Sequence, residues 1–260
     1  MAIYKFDIKI YGIHERDFII NELKKSLILK DEDICYDDRK ERGSCLYTLG
    51  KACTSPIPKD VTHRLAMPDD MIVCNNFKFI INKIIKTHPN EIIALWPYRF
   101  NRFYEESKKL KTPYVKSLGG IAGNGIIFPV KYIEHMWNWI KNEHTKDYNT
   151  FRSETAMVDY IRIHQLPVIY TIPSPVQHVG DDYGTYLHYE VNRNRKTLYF
   201  RQDCLTGVDW DNKEVAIFPH IKYFERTHAE YFKLPKCGLL EEDKCFNPRN
   251  YINLSEGEKK

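Results

Sequence analysis

The chain has 260 residues, 43% of them apolar and 28% charged, with a formal net charge of +4 and a pI near 8.5. That is enough apolar material for one large domain with or without an extension. A mean hydropathy of -0.52, with no apolar run near the roughly 20 residues needed to cross a bilayer, argues against a membrane span.

The charge permits an anionic partner without requiring one. Seven cysteines, an odd number with no CxxC pair, argue against a zinc knuckle or a disulfide framework. Reduced, mostly buried thiols in a cytoplasmic protein are the expectation. The opening "MAIYKFDIKIYGI" lacks an uninterrupted apolar stretch and a small-residue cleavage site, so no signal peptide is expected.

In chain order, "IYKFDIKIYGI" (3–13) reads as a strand ended by Gly12. "HERDFIINELKKSLILK" (14–30) has apolar residues Phe18, Ile19, Leu23, Leu27 and Ile28 at helical spacing. "DICYDD" (33–38) reads as a short strand, followed by a long polar loop up to residue 61. "THRLAMP" (62–68) is a third strand and "NNFKFIINKIIKTH" (75–88) a helix. "EIIALWPY" (91–98) is a fourth strand, and "RFNRFYEESKKLKTPYVK" (99–116) a basic, aromatic loop or hairpin. The Gly-rich "GGIAGNG" runs into an apolar strand, and helices are predicted over 130–144 and 153–166. "PVIYTIP" (167–173) is a last strand before "SPVQHVG". Strand–helix alternation of this kind predicts an α/β domain over 1–200 with a mixed, mainly parallel sheet. The remainder, 201–260, reads as an appended α+β or irregular extension.

In an open α/β sheet ligands bind beyond the carboxyl ends of the strands. Asp37 and Asp38 follow the second strand, Asp69 and Asp70 the third, and His178 the last. One strand-end Asp is an ordinary helix cap, and one His an ordinary surface or core residue. Several such features at one edge of a sheet point to a site. Carboxylates suit magnesium or manganese, and an imidazole favours manganese.

"THRLAMPDDM", "GGIAGNGIIFPV" and "VIYTIPSPVQHVG", in that order, resemble a GT-A glycosyltransferase, above all the compact sugar transferases of viruses, phages and bacteria. The resemblance spans roughly 3–200. It implies a nucleotide-diphosphate-sugar donor, a Mn2+ or Mg2+ ion, and a glycan or small-molecule acceptor. It implies a donor pocket holding Arg16, Asp37 and Lys51, with Asp70 and His178 on the metal and Asp69 touching ribose or a metal-bound water. Such enzymes usually separate the two acids by one residue; here the earlier position is Pro68. Arg195 and Lys196 match a basic segment that closes over donor phosphates, though a solvated turn explains them as well. For an inverting transfer the general base would be Glu154, at the start of a helix, with Asp159 the second choice; a helix-terminal Glu favoured by the macrodipole is the plainer reading. A retaining transfer would need neither. A DNA transferase acting on a hydroxymethylated base is the alternative acceptor class, and a catalytically silent nucleotide- or glycan-binding module the alternative from another class. A nucleotidyltransferase would share the sheet, but no glycine-rich basic loop follows the first strand.

Overall fold

Both faces of the central sheet are covered, and the sequence shows why. Along the strands neighbouring apolar residues alternate between two cores. Ile8, Ile10, Leu65, Met67, Ile93, Ile127 and Ile169 join one; Tyr11, Ala66, Ala94, Phe128, Val168 and Tyr170 join the other. Strands buried on both faces read as continuous apolar runs, as "IIA" (92–94) and "IIFP" (126–129) do, whereas "FDIKIYG" (6–12) keeps Asp7 and Lys9 among its apolar residues. The computed structural model describes residues 4–39, 45–97, 101–118, 125–143, 153–179 and 200–218. All lie within one unit, Met1–Pro219.

The strands are β1 (Phe6–Gly12), β2 (Ile34–Tyr36), β3 (His63–Pro68), β4 (Met71–Val73), β5 (Ile92–Ala94), β6 (Tyr114–Leu118), β7 (Ile126–Pro129), β8 (Pro167–Thr171), β9 (Val176–His178) and β10 (Ala216–Phe218). Eight of them form a sheet in the order β10-β6-β8-β5-β7-β3-β1-β2. β1, β2, β3, β5 and β8 run one way; β6, β7 and β10 run the other. This is a mixed, mainly parallel α/β sheet, consistent with a Rossmann-like arrangement. β4 and β9 form a separate antiparallel ribbon.

The helices are α1 (Asp17–Leu27), α2 (Cys45–Thr54), α3 (Phe77–Thr87), α4 (Asn101–Leu110), α5 (Val130–Glu143) and α6 (Ser153–Ile163). α1 and α3 cover one face through Ile19, Leu23 and Leu27 and through Phe77, Ile80, Ile81, Ile84 and Ile85. That spacing places each set on one side of its helix. α2, α5 and α6 cover the other, with Leu46, Leu49, Met136, Trp137 and Met157 inward.

Two segments differ from the sequence expectation. The loop predicted after the second strand contains α2, whose buried Leu46, Leu49, Ala52 and Cys53 carry a helical repeat inside a polar-looking stretch. The basic loop or hairpin predicted over 99–116 is helix α4 followed by β6. Its charges sit on an amphipathic helix, and the strand begins only at Tyr114. Beyond residue 200, β10 pairs in parallel with β6, so the chain up to residue 218 adds a strand to the sheet. Residues 119–124, in "GGIAGNG", and 219–260 lie outside the described residues.

One buried charge ties α2 to the sheet. Arg64, the second residue of β3, is fully buried. Its Nε donates to Asp7 Oδ1 on β1 at 3.0 Å, its Nη1 to the carbonyls of Ala52 and Cys53 at 3.2 and 3.0 Å, and its Nη2 to Pro56 O at 3.0 Å. The guanidinium thus takes up carbonyls that the end of a helix leaves without partners. Arg64→Leu leaves Asp7 and these carbonyls uncompensated. It should lower the unfolding free energy by about 3–5 kcal/mol in urea titration. Arg64→Lys should restore only part of the loss, because an ammonium cannot match the planar fork.

Candidate functional site

The ends of β1, β2 and β3 lie side by side, so the residues that follow them share one edge of the sheet. Asp37 N donates to Gly12 O at 2.9 Å, and Asp69 N to Tyr11 O at 2.9 Å. The two acidic strand ends therefore flank the end of β1 from opposite sides, about two strand spacings or 10 Å apart.

Asp69 and Asp70 form the turn between β3 and β4. Asp69 is buried beneath the chain leaving β1. Its Oδ2 accepts the Ile13 amide at 2.9 Å and its Oδ1 accepts Arg16 Nη1 at 2.6 Å. The same Nη1 reaches Asp70 Oδ2 at 3.0 Å, so one guanidinium bridges the pair. This fit depends on Gly12. A Cβ there would lie 2.2 Å from Asp69 Oδ2 and 2.4 Å from Asp69 Cβ, so nothing larger than hydrogen leaves room for the carboxylate. Burial, with Asp70 beside it, pushes the Asp69 carboxyl up to about 6, against the opposing pull of Arg16 and the Ile13 amide.

His178 comes from far along the chain and is delivered by the small ribbon. In the β4–β9 pairing Met71 faces His178, and Val179 N donates to Asp70 O at 2.8 Å. His178 Nε2 lies 3.2 Å from Asp70 Oδ2. Its ring is buried, 5.8 Å centre to centre from Trp96, and its Nδ1 has no hydrogen-bond partner among the described residues.

No group of three or more His, Cys, Asp or Glu able to hold a metal is assembled among the described residues. Asp70 and His178 nonetheless fit part of one. Adjacent ligands of a six-coordinate ion with bonds of about 2.1 Å lie about 3 Å apart, close to the Nε2–Oδ2 separation. Carboxylate plus imidazole is a donor pair suited to manganese. Two protein ligands suffice where phosphate oxygens and water supply the rest. Arg16 competes for the same Asp70 oxygen.

The other sequence candidates divide. Arg16 is in the carboxylate cluster itself. Asp37 is buried and held by Arg39, whose Nε and Nη2 reach its two oxygens at 2.8 and 2.6 Å. Burial would raise its carboxyl, but the hydrogen bonds and charge of Arg39 hold it below its ordinary value. Arg39 in turn lies 4.3 Å over the Tyr47 ring. Lys51 reaches Asp38 Oδ2 at 2.8 Å and Tyr36 O at 3.1 Å, at the margin of the same edge. Glu154 lies in the first turn of α6, its side chain outside the described residues. Because α6 ends four residues before β8 begins, the start of α6 points back toward the edge where β8 ends. Asp159 is buried in mid-helix. Arg195 and Lys196 lie outside the described residues.

Sequence reasoning missed the flat pair His14 and Tyr36, stacked at 3.8 Å with 14° between planes, beside Asp38 and Asp17. Burial and the hydrogen bond from its hydroxyl to Asp17 push the Tyr36 phenol up to about 12. Gly12 carried a signal, a glycine ending a strand, but nothing in the sequence pointed to Asp69 as the atom group it accommodates. Comparison of the chain with protein-family models and with curated proteins finds no match.

Two outcomes follow for this cluster. Gly12→Ala should displace Asp69, costing about 1–3 kcal/mol in urea unfolding through overpacking. Folding raises the Asp69 pKa from 3.8 to about 6, so the folded protein holds that proton more tightly between these values. The associated stability is present below about pH 4 and is lost as pH rises through about 6. Asp69→Asn should flatten the stability profile of the metal-free protein across that window.

Proposed function

We propose that the chain is a metal-dependent glycosyltransferase of GT-A-like fold, moving a sugar from a nucleotide-diphosphate donor to an acceptor hydroxyl. The observation that carries this reading is the contact of Asp70 with His178, 3.2 Å apart at the carboxyl edge of a mainly parallel sheet. Two residues so remote in sequence meet only because a dedicated ribbon pairs β4 with β9.

In this reading Asp70 and His178 hold a Mn2+ or Mg2+ ion. Bound there, the ion would neutralise the diphosphate as it departs. Asp69 acts differently: with both oxygens engaged by Ile13 and Arg16, it orients the Arg16 guanidinium at the mouth of the site. Arg16 can then turn from Asp70 to a donor phosphate, for which its planar fork is suited. The His14–Tyr36 face offers a flat surface for the nucleotide base. Glu154, if the transfer inverts, takes the acceptor proton as the acceptor oxygen bonds to the anomeric carbon and the bond to the diphosphate breaks.

One observation favours a second reading. Arg16 already pairs with both carboxylates, which suits a silent nucleotide- or glycan-binding module as well as an enzyme. Turnover separates the two. With manganese present, hydrolysis of UDP- or GDP-sugars should be detectable, and Asp70→Asn or His178→Ala should lower it by about 100-fold or more, the scale of losing one stabiliser of developing charge. Donor binding seen as a thermal shift, without hydrolysis of any donor, would favour the module.

A further inference from the structure

We propose that a cleft of about 450 Å3 at the same edge of the sheet as the carboxylate site binds a phosphate carried by the acceptor. This rests on the transferase reading and assigns the acceptor its chemistry. The cleft is built from the second half of α4, the chain leaving β8 at Ile172 and Pro173, and the segment after residue 200. Lys108 and Lys111, at the end of α4, and Arg201, from the segment after residue 200, line it, with Tyr104 also on its wall. All four are exposed.

The charges in this cleft are not used up by the fold. Among the described residues Lys108, Lys111 and Arg201 form no ion pair; the Arg201 guanidinium donates to Thr206 O at 3.2 Å. Lys109, on the same helix but not lining the cleft, pairs instead with Glu106 at 2.6 Å. The helix dipole favours cations at the end of α4 and accounts for part of the lysine content. It does not account for Arg201, which lines the same cleft from a different segment of the chain. The acid lining the cleft is Asp209, whose Oδ1 accepts the Asp211 amide at 3.1 Å.

Among the described residues, three cations against one carboxylate suit a phosphate better than a singly charged carboxylate ligand. Arg supplies a two-pronged contact to phosphate oxygens, and lysines supply point charges. The exposed ring of Tyr104 gives a flat face to the sugar or base attached to that phosphate.

The location fits an acceptor. Tyr114 pairs with Thr171, so the approach to β6 and the end of β8 meet at the same sheet edge as Asp70. From Pro173 the chain runs five residues to His178, a span of at most about 17 Å. The wall of the cleft at Pro173 is thus separated from the proposed metal ligand His178 by at most the length of a few sugar residues.

The test uses the full chain with no donor and no metal, so absence of turnover, which would count against the transferase reading, leaves the result legible. Binding of glucose 6-phosphate, glucose and a short DNA duplex is measured by calorimetry at low and high salt. Glucose 6-phosphate should bind where glucose does not. The double variant Lys108→Glu/Arg201→Glu should weaken it by about tenfold or more, while Lys109→Glu should bind as the wild type does. These positions are exposed, and thermal melts check that each variant is folded. Duplex binding that competes with glucose 6-phosphate and is lost in the same double variant supports the cleft with a DNA phosphodiester as its phosphate. The proposal is overturned if neither the sugar phosphate nor the duplex binds better than glucose, or if Lys109→Glu weakens binding as much as the cleft variants do.

Discussion

The contact between Asp69 and the chain leaving β1 organises this edge of the molecule. A buried carboxylate must find donors, and Asp69 finds the Ile13 amide and Arg16. Both lie just after β1, so satisfying Asp69 fixes how the chain turns from strand to α1. Only a glycine at position 12 allows the approach. With Asp69 held, the next residue is placed so that one oxygen of Asp70 meets both Arg16 and His178. The polar cluster, the strand end and the start of the first helix are one arrangement.

Around it the sheet keeps its chemistry to one side. Five strands of common direction end there, and the oppositely directed β6 begins there, so its preceding helix contributes to the same surface. The opposite requirement, a covered apolar interior, is met by helices on both faces, and Arg64 shows how a polar group is accommodated in it. Its donors reach Asp7 and the carbonyls ending α2, which makes an internal charge part of the helix's termination.

The sequence made some of this legible and hid the rest for identifiable reasons. Apolar runs such as "IIALW" (92–96) and "PVIYT" are visible because burial on both faces removes polar alternation. α3 is visible because its isoleucines repeat at three and four. α2 was hidden because Gly50, Thr48 and Lys51 dilute its repeat, and α4 because its charges dominate its composition. At the site, strand-end carboxylates are local signals, so Asp37, Asp69 and Asp70 stand out. Asp37 is held by Arg39, only two residues on, but the partner of the other two acids is set by a tertiary contact, Arg16 joining them across the β1 turn. The His14–Tyr36 stack joins two strand ends and has no linear pattern at all.

The β4–β9 ribbon has a consequence for how such a site can change. Side chains on a strand alternate faces, so the pairing of Met71 with His178 works as a ruler with a two-residue unit. Gain or loss of one residue between Pro173 and Val176 would exchange imidazole for a neighbouring side chain at Asp70 while leaving the ribbon's backbone bonding intact. Length variation in this short connection is therefore not gradual in its effect. The segment's residue count, as much as its residue types, specifies what meets the carboxylate.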